Sequence, residues 1–148
     1  MDLKMDDLKL AENTLKRDNL NLVIAKNGKL AYKTKLSGIK GLLKAIEKLD
    51  YKTNEYSAAD KIVGRAAALL LIFMNVKKIY AITLSEGGKS VLEKNEIEYK
   101  YENIVSEIKN IEGKNMCPFE KLTRDIDNPE KAYLKVKSKV TNLENSSK

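Results

Sequence analysis

The run Cys117-Pro118-Phe119-Glu120 contains the residue types most suggestive of chemistry in this chain. Proline is favoured at the first position of a helix, so Pro118 predicts that a helix begins there with Cys117 as its N-cap. The positive end of the helix dipole favours the thiolate, which is the reactive form of the thiol. Glu120 is spaced to reach back to the Cys117 amide. Cys117 is therefore the candidate nucleophile, and the structural alternative is a buried cysteine that only packs.

A second candidate cluster begins at Ser57. Ser57 and Asp60 have the spacing of a capping box, in which a hydroxyl residue is followed three positions later by an acid at the start of a helix. The pattern predicts one long helix over Ala58–Val76, with Asp60, Lys61 and Arg65 in its first turns. In the structural interpretation Ser57 and Asp60 only cap this helix. In the functional interpretation Asp60 and Lys61 face a pocket at its start.

The run 85–90, Ser-Glu-Gly-Gly-Lys-Ser, follows a predicted strand and opens a helix, which is the context of a phosphate-binding loop. That loop requires a glycine where this chain has Thr83, so the run predicts an ordinary strand-to-helix turn. Ser85 nevertheless follows the carboxyl end of a strand, where ligands bind in open α/β sheets. It is therefore a candidate binding residue.

The chain has no His and a single Cys. Metal sites built on imidazole and His-based triads are excluded, and so are an intramolecular disulfide and the usual structural zinc sites. Any chemistry rests on carboxylates, lysines, tyrosines, hydroxyls or the one thiol. We accordingly expect no metal and no cofactor.

The formal net charge of +7 is concentrated at the two ends of the chain. Residues 1–57 carry 12 basic and 8 acidic side chains, residues 58–130 carry 11 and 12, and residues 131–148 carry 5 and 1. Only three of the 28 basic residues are Arg, the residue best suited to phosphates and bases. Nucleic acid is therefore not an expected partner.

The longest apolar run has nine residues, too few to span a membrane, and the charged N-terminus has no secretory signal. We expect a cytoplasmic location and no membrane partner. The sequence leaves open whether the chain forms a homo-oligomer.

The elements that must position these residues follow from the apolar spacing. Asn27-Gly28 between two β-prone runs predicts a tight hairpin near a sheet edge. After the hairpin, helices and strands alternate, which predicts one α/β domain over residues 1–141 with a mixed sheet and a frayed tail at 142–148. The predicted helices cover about 2–17, 38–49, 58–76, 89–95, a stretch marked by Ile104, Val105, Ile108 and Ile111, 118–127 and 130–140. Asn128 and Pro129 are the predicted cap and first-turn pair of the last helix. The predicted strands cover 20–26, 29–36, 77–84 and 97–102, and a polar loop covers 112–115.

Four segments resemble an uncharacterised prokaryotic family known only as a domain of unknown function. They are Asn27-Gly28, the run 59–68 (Ala-Asp-Lys-Ile-Val-Gly-Arg-Ala-Ala-Ala), the run 116–122 (Met-Cys-Pro-Phe-Glu-Lys-Leu) and the run 125–130 (Asp-Ile-Asp-Asn-Pro-Glu). The resemblance extends over about 3–140. This family is similar in fold to the cytidine deaminases, which implies a three-layer α/β/α sandwich.

The resemblance does not extend to the deaminase zinc site. Zinc deaminases need His (or Cys)-x-Glu at the start of one helix and Pro-Cys-x-x-Cys at the start of the next, and this chain has neither. We expect a zinc-free domain whose cavity between two helix starts binds a small anionic or nucleotide-like ligand, because two dipole ends attract anions. The alternative is a non-catalytic interaction or regulatory module, in which Asp60 and Glu120 cap helices, Gly64 allows close helix packing and Cys117 is buried. The residues expected to line the cavity are Ser57, Asp60, Lys61, Arg65, Cys117 and Glu120.

Overall fold

A computed structural model describes residues 6–109 and 116–146 of the chain. Five strands form one mixed sheet in the order β2-β1-β3-β4-β5, and helices flank it on both faces. The strands are β1 (Leu22–Lys26), β2 (Lys29–Thr34), β3 (Tyr56–Val63), β4 (Val76–Ser85) and β5 (Glu98–Val105). The helices are α1 (Asp7–Arg17), α2 (Gly38–Lys48), α3 (Arg65–Phe73), α4 (Glu86–Lys94), α5 (Pro118–Thr123) and α6 (Pro129–Ser146).

The first two strands form the predicted hairpin. Asn27 and Gly28 both have positive φ, 52° and 76°, as a two-residue hairpin turn requires. The turn is tied to α1, because the Asp7 carboxylate accepts hydrogen bonds from the Asn27 and Gly28 amides at 2.9 and 2.7 Å. Strand β2 lies at a sheet edge, as its lysine-bearing face predicts.

The predicted helix over Ala58–Val76 is wrong in its first half, which is the central strand β3. Ala58 and Ala59 have high helix propensity, but both are fully buried between β1 and β4. Pairing with a strand on either side outweighs this local preference. The capping box at Ser57 and Asp60 therefore does not exist.

The second half of that predicted helix is α3, which lies at the centre of the larger core. Residues Ala66–Leu71 are all buried, as expected of a helix that is apolar on every side. Helices α2, α4, α5 and α6 all pack against it. On the other face of the sheet α1 covers a smaller cluster formed by Leu8, Ala11, Leu15, Leu20, Val23, Ala25, Ala59 and Tyr80.

Strand β1 is antiparallel to both of its neighbours, β2 and β3, whereas β3, β4 and β5 are parallel to one another. The carboxyl ends of the parallel strands therefore meet at one edge of the sheet. Helices α3 and α4 begin at this edge, directly after β3 and β4. It is the edge at which open α/β sheets bind ligands.

The C-terminal third differs from the predictions in three places. Strand β5 includes Ile104 and Val105, so the helix predicted to begin there is wrong. Ile111 and the predicted loop at 112–115 lie outside the described residues. Helix α5 is shorter than predicted, and α6 continues to Ser146 through residues expected to fray. The predicted cap of α6 is confirmed, because the Asn128 side chain accepts from the Lys131 amide at 2.9 Å.

Within the ranges 6–109 and 116–146, none of the helices combines the length and apolarity needed to cross a membrane.

Candidate functional site

The start of α3 is capped by a carboxylate from a distant helix. Glu120 of α5 accepts hydrogen bonds from the Arg65 amide at 2.7 Å and the Ala66 amide at 2.8 Å. These two amides belong to the first turn of α3, where backbone donors have no partner within the helix. Glu120 is 8% exposed. The positive end of the α3 dipole is therefore occupied by the protein's own anion.

The side chain of Arg65 makes the return connection to α5. Its Nε donates to the Thr123 carbonyl at 2.7 Å, and its guanidinium also donates to the Ile126 carbonyl and to the Asp127 carboxylate. Thr123 is the last residue of α5, and its carbonyl also accepts from the Ile126 amide at 3.0 Å, so Arg65 adds a second hydrogen bond at the end of that helix. We call this pair of connections the α3–α5 double cap.

This arrangement shifts the pKa values of two carboxyl groups. The pKa of Glu120 is raised because the group is buried, although the Ala66 and Arg65 amides and the Arg65 charge act in the opposite direction. The pKa of Asp127 is lowered by its hydrogen bond to Arg65 and by the nearby charge of Lys94. The two acids therefore differ in environment even though both contact Arg65.

Glycines allow the close approach on which the double cap depends. A Cβ at Gly64, the N-cap of α3, would overlap the Glu120 carboxylate. A Cβ at Gly88 would come within 3.0 Å of the Val63 and Gly64 carbonyls, so α4 also packs tightly against the end of β3. Close packing at Gly64 agrees with the structural alternative, but its partner Glu120 is 56 residues away and leaves no local signal in the sequence.

Cys117 is the N-cap of α5 and Pro118 its first residue, as predicted. The expected bond from Glu120 to the Cys117 amide is wrong, since that amide donates to the Ile108 carbonyl at 2.9 Å and Glu120 instead caps α3. The thiol is half-buried, and its side chain makes no capping hydrogen bond. Its role as a nucleophile stays a prediction.

Asp60 is a buried carboxyl inside the sheet rather than at a helix start. It is 6% exposed and lies between Leu22 of β1 and Ala81 of β4, which both belong to the larger core. Burial raises its pKa to about 8, and the amides of Ile62 and Lys61 only partly oppose this shift. At neutral pH most molecules therefore carry a protonated Asp60.

Lys61 lies on the opposite face of the sheet from Asp60 and helix α5. Adjacent residues of a strand point to opposite faces, and the β3–β4 register places Lys61 beside Ile82. Ile82 packs against the α1 cluster, whereas Phe119 and Leu122 of α5 pack against the larger core. The expectation that Lys61 lies near Cys117 is therefore wrong.

The two candidate serines also occupy different places. Ser85 is the N-cap of α4, and its buried Oγ accepts from the Gly88 amide at 2.9 Å, which confirms the strand-to-helix turn. Ser57 lies at the start of β3, at the opposite edge of the sheet. It lines a cavity of about 570 Å³ together with Asp6, Asp7, Asn27, Gly28, Glu55, Tyr56, Lys77 and Lys78.

The structure therefore brings together Arg65, Glu120, Cys117 and Ser85, but not the full predicted cavity. The side chains of Arg65, Glu120 and Ser85 form hydrogen bonds with backbone groups at the ends of helices. In the part of the chain that the structure describes, no three acidic or cysteine side chains are placed to hold a metal ion.

The chain is similar to a described protein family and to a solved structure of that family. Residues 10–140 match the family model described as TM1506, domain of unknown function DUF1893, so this chain belongs to that family. This confirms the expected membership of an uncharacterised family. The crystal structure of a DUF1893 family protein, TM1506 from Thermotoga maritima, is similar with a TM-score of 0.82 and 27% identity. The similarity covers 93% of this chain and 92% of that one. No curated protein matches the chain.

Proposed function

We propose that this domain acts by binding a partner, as an interaction or regulatory module, and that its distinctive residues hold the fold together. The α3–α5 double cap is the observation that carries the proposal. Arg65 and Glu120, two of the charged candidates, are hydrogen-bonded to each other's helices. Groups that hold helices in place are not free to change partners during a reaction.

The energetics of the double cap oppose an anion site at α3. A ligand anion at this helix start would have to displace Glu120 from two charge-assisted hydrogen bonds. Each such bond contributes roughly 1.5–3 kcal/mol. Because the site is already neutralised by an internal carboxylate, the dipole offers little attraction to a second anion.

A zinc-free relationship to the cytidine deaminases is part of the proposal. The hairpin followed by two parallel crossovers supports this kinship. Deaminase zinc ligands lie at the starts of two consecutive helices. The consecutive helices α2 and α3 begin after Ser37 and Gly64, and neither start offers a thiolate or imidazole.

The second candidate function is the binding of a nucleotide-like ligand in the cavity at Ser57. Ser57 is 7% exposed yet lines this cavity, whose volume is in the range of small-molecule sites. Lys77 and Lys78 suit a phosphate, and the carboxylate of Glu55 suits ribose hydroxyls. Three carboxylates against two lysines make the cavity a weak site for a simple anion, which ranks this function second.

Two measurements on the whole chain separate these functions. The first is the melting temperature with nucleosides, nucleotides and inorganic phosphate, for the wild type and for Ser57→Ala and Lys77→Ala, with Lys100→Ala as an exposed control. The second is the alkylation rate of Cys117 relative to a model thiol. The module predicts no rise in melting temperature and no acceleration of alkylation.

Either of two results would contradict the module. A rise in melting temperature that is lost in Ser57→Ala and Lys77→Ala, but kept in Lys100→Ala, would favour the ligand site. Alkylation of Cys117 well above the rate of the model thiol would favour thiol chemistry.

A further inference from the structure

A groove between α5 and residues 134–143 of α6 presents apolar side chains on the surface. Its volume is about 690 Å³, enough for several side chains of another molecule. Leu134 is 57% exposed, and the half-buried Leu122 lies across from it on α5. The lining residues are Leu122, Leu134, Lys135, Ser138, Lys139, Asn142 and Leu143.

The exposure of these leucines is not required by the fold. The buried face of α6 is formed by Ala132, Val136 and Val140. Ala132 and Val136 belong to the larger core. Leu134 lies off this face, so burial in the core does not explain an apolar residue there. Exposed apolar side chains grouped in a concave surface are typical of protein interaction sites.

The charges beside the groove indicate the chemistry of its occupant. Lys135 and Lys139 are one helical turn apart and both line it. The segment 131–148 that contains them carries five basic side chains and one acidic one. An occupant with carboxylates beside its apolar residues would be attracted, and one with lysines there would be repelled.

Three occupants of the groove are conceivable, namely a second copy of this chain, a membrane surface and a helix of another protein, and the charge and shape of the groove favour the helix. A second copy of this chain would bring its own basic α6 against Lys135 and Lys139, which is electrostatically unfavourable. A membrane surface is flat on the scale of the groove and would not fill it. A helix that projects a row of apolar side chains fits a groove between two helices.

Building on the proposed function, the geometry points to the α5–α6 groove as the docking site for an amphipathic acidic helix of a partner protein. Leucine-like side chains of that helix insert between Leu122 and Leu134. Its carboxylates pair with Lys135 and Lys139 at the side of the groove.

Fluorescence polarisation with designed peptides tests this site on the full chain. The probe is a labelled helical peptide with leucines at i, i+3 and i+7 and glutamates beside them, and the matched peptide has lysines in place of the glutamates. Leu134→Ser and Lys135→Glu/Lys139→Glu alter the groove. Leu30→Ser and Lys137→Glu are the controls, because both residues are exposed outside it.

We expect the glutamate peptide to bind and the lysine peptide to bind at least about tenfold more weakly. Leu134→Ser should weaken binding by roughly tenfold, in the range of interface hot spots. The charge-reversed double variant should prefer the lysine peptide, whereas both controls should behave like the wild type. Leu134 and Lys135 are exposed and Lys139 is half-buried. Unchanged melting temperatures would show that the variants are folded.

Three results would overturn the assignment. The first is equal or undetectable binding of both peptides to the wild type. The second is self-association of the wild type that Leu134→Ser abolishes, which would make a second copy the occupant. The third is Leu134-dependent binding to anionic vesicles without peptide binding. Suppose that neither peptide binds, that Cys117 is alkylated at the rate of the model thiol and that no nucleotide raises the melting temperature. These results would contradict the groove as a docking site but leave the proposed interaction module in place.

Discussion

At the scale of single residues, the buried carboxyl of Asp60 makes the stability of the fold depend on pH. Its folded-state pKa is raised to about 8, while the pKa of an aspartate in an unfolded chain is about 3.9. Between these values the folded protein holds a proton that the unfolded chain releases. The contribution of this group is therefore full below about pH 4 and is lost as the pH rises through 8.

We predict that Asp60→Asn stabilises the protein increasingly as the pH rises from 5 to 8. Asn has nearly the same shape and no charge to bury, so the difference in unfolding free energy from the wild type should grow by up to about 1.4 kcal/mol per pH unit. Urea unfolding of both proteins at several pH values measures this difference. Asp125→Asn, at an exposed position, should give a curve parallel to that of the wild type.

A constant difference between Asp60→Asn and the wild type over this range would show that Asp60 is ionised in the folded state. It would then need a partner that compensates its charge.

At the scale of elements, the double cap explains how a six-residue helix is held in place. Helix α5 is too short to be stable alone. Glu120 fixes it to the start of α3, and Arg65 holds its end. Loss of the Glu120 side chain leaves the Arg65 and Ala66 amides without this acceptor, which costs roughly 1–3 kcal/mol for each amide.

The two glycines Gly64 and Gly87 should respond oppositely to alanine. A Cβ at Gly64 overlaps the Glu120 carboxylate, so Gly64→Ala should destabilise the protein by about 1–3 kcal/mol. A Cβ at Gly87, in the first turn of α4, makes only an ordinary 3.6 Å contact with Arg65. Gly87→Ala should therefore be neutral or stabilising by up to about 1 kcal/mol, because alanine is the better helix former. Urea unfolding of the two variants measures both effects.

A double-mutant cycle assigns the cost at Gly64 to its cause. Once Glu120→Ala has removed the carboxylate, the added methyl group should cost less than in the wild type, although Ile108 still limits the space. The two changes should therefore be non-additive. Additive losses would mean that Gly64 is required for a reason other than the close approach of Glu120.

At the scale of the whole molecule, the residue types that could bind a metal predict the zinc content of the purified protein. The chain has one thiol and no imidazole, and carboxylates with water suit harder ions than zinc. We expect protein purified without added metal to contain far less than one zinc ion per chain, as measured by elemental analysis. A chelator should leave its melting temperature unchanged. Stoichiometric zinc would contradict the zinc-free relationship to the deaminases.

Local chemistry was sufficient to predict several elements of the fold. Positive φ at Asn27-Gly28, proline at the first position of α5 and the Asn128 cap of α6 are each decided by neighbouring residues. The same is true of the turn at Ser85. For these elements the prediction and the structure agree because the interactions span only a few positions.

The central strand could not be predicted in this way. Residues 56–63 contain two alanines and a lysine, which favour a helix, beside the strand-favouring Tyr56, Ile62 and Val63. They become a strand because β1 and β4 supply backbone partners on both sides. Long-range pairing of this kind overrides propensity, and it moved Asp60 from an expected helix start into the core.

The sequence by itself determined the class of fold, the absence of imidazole chemistry and the start of the helix at Pro118. Only the tertiary structure decided what the candidate residues do. Arg65 and Glu120 are 55 positions apart, and nothing in the intervening residues encodes that each caps the other's helix. The physical reason is that a helix end is satisfied by whichever donor or acceptor packing brings to it, and packing is a property of the whole chain.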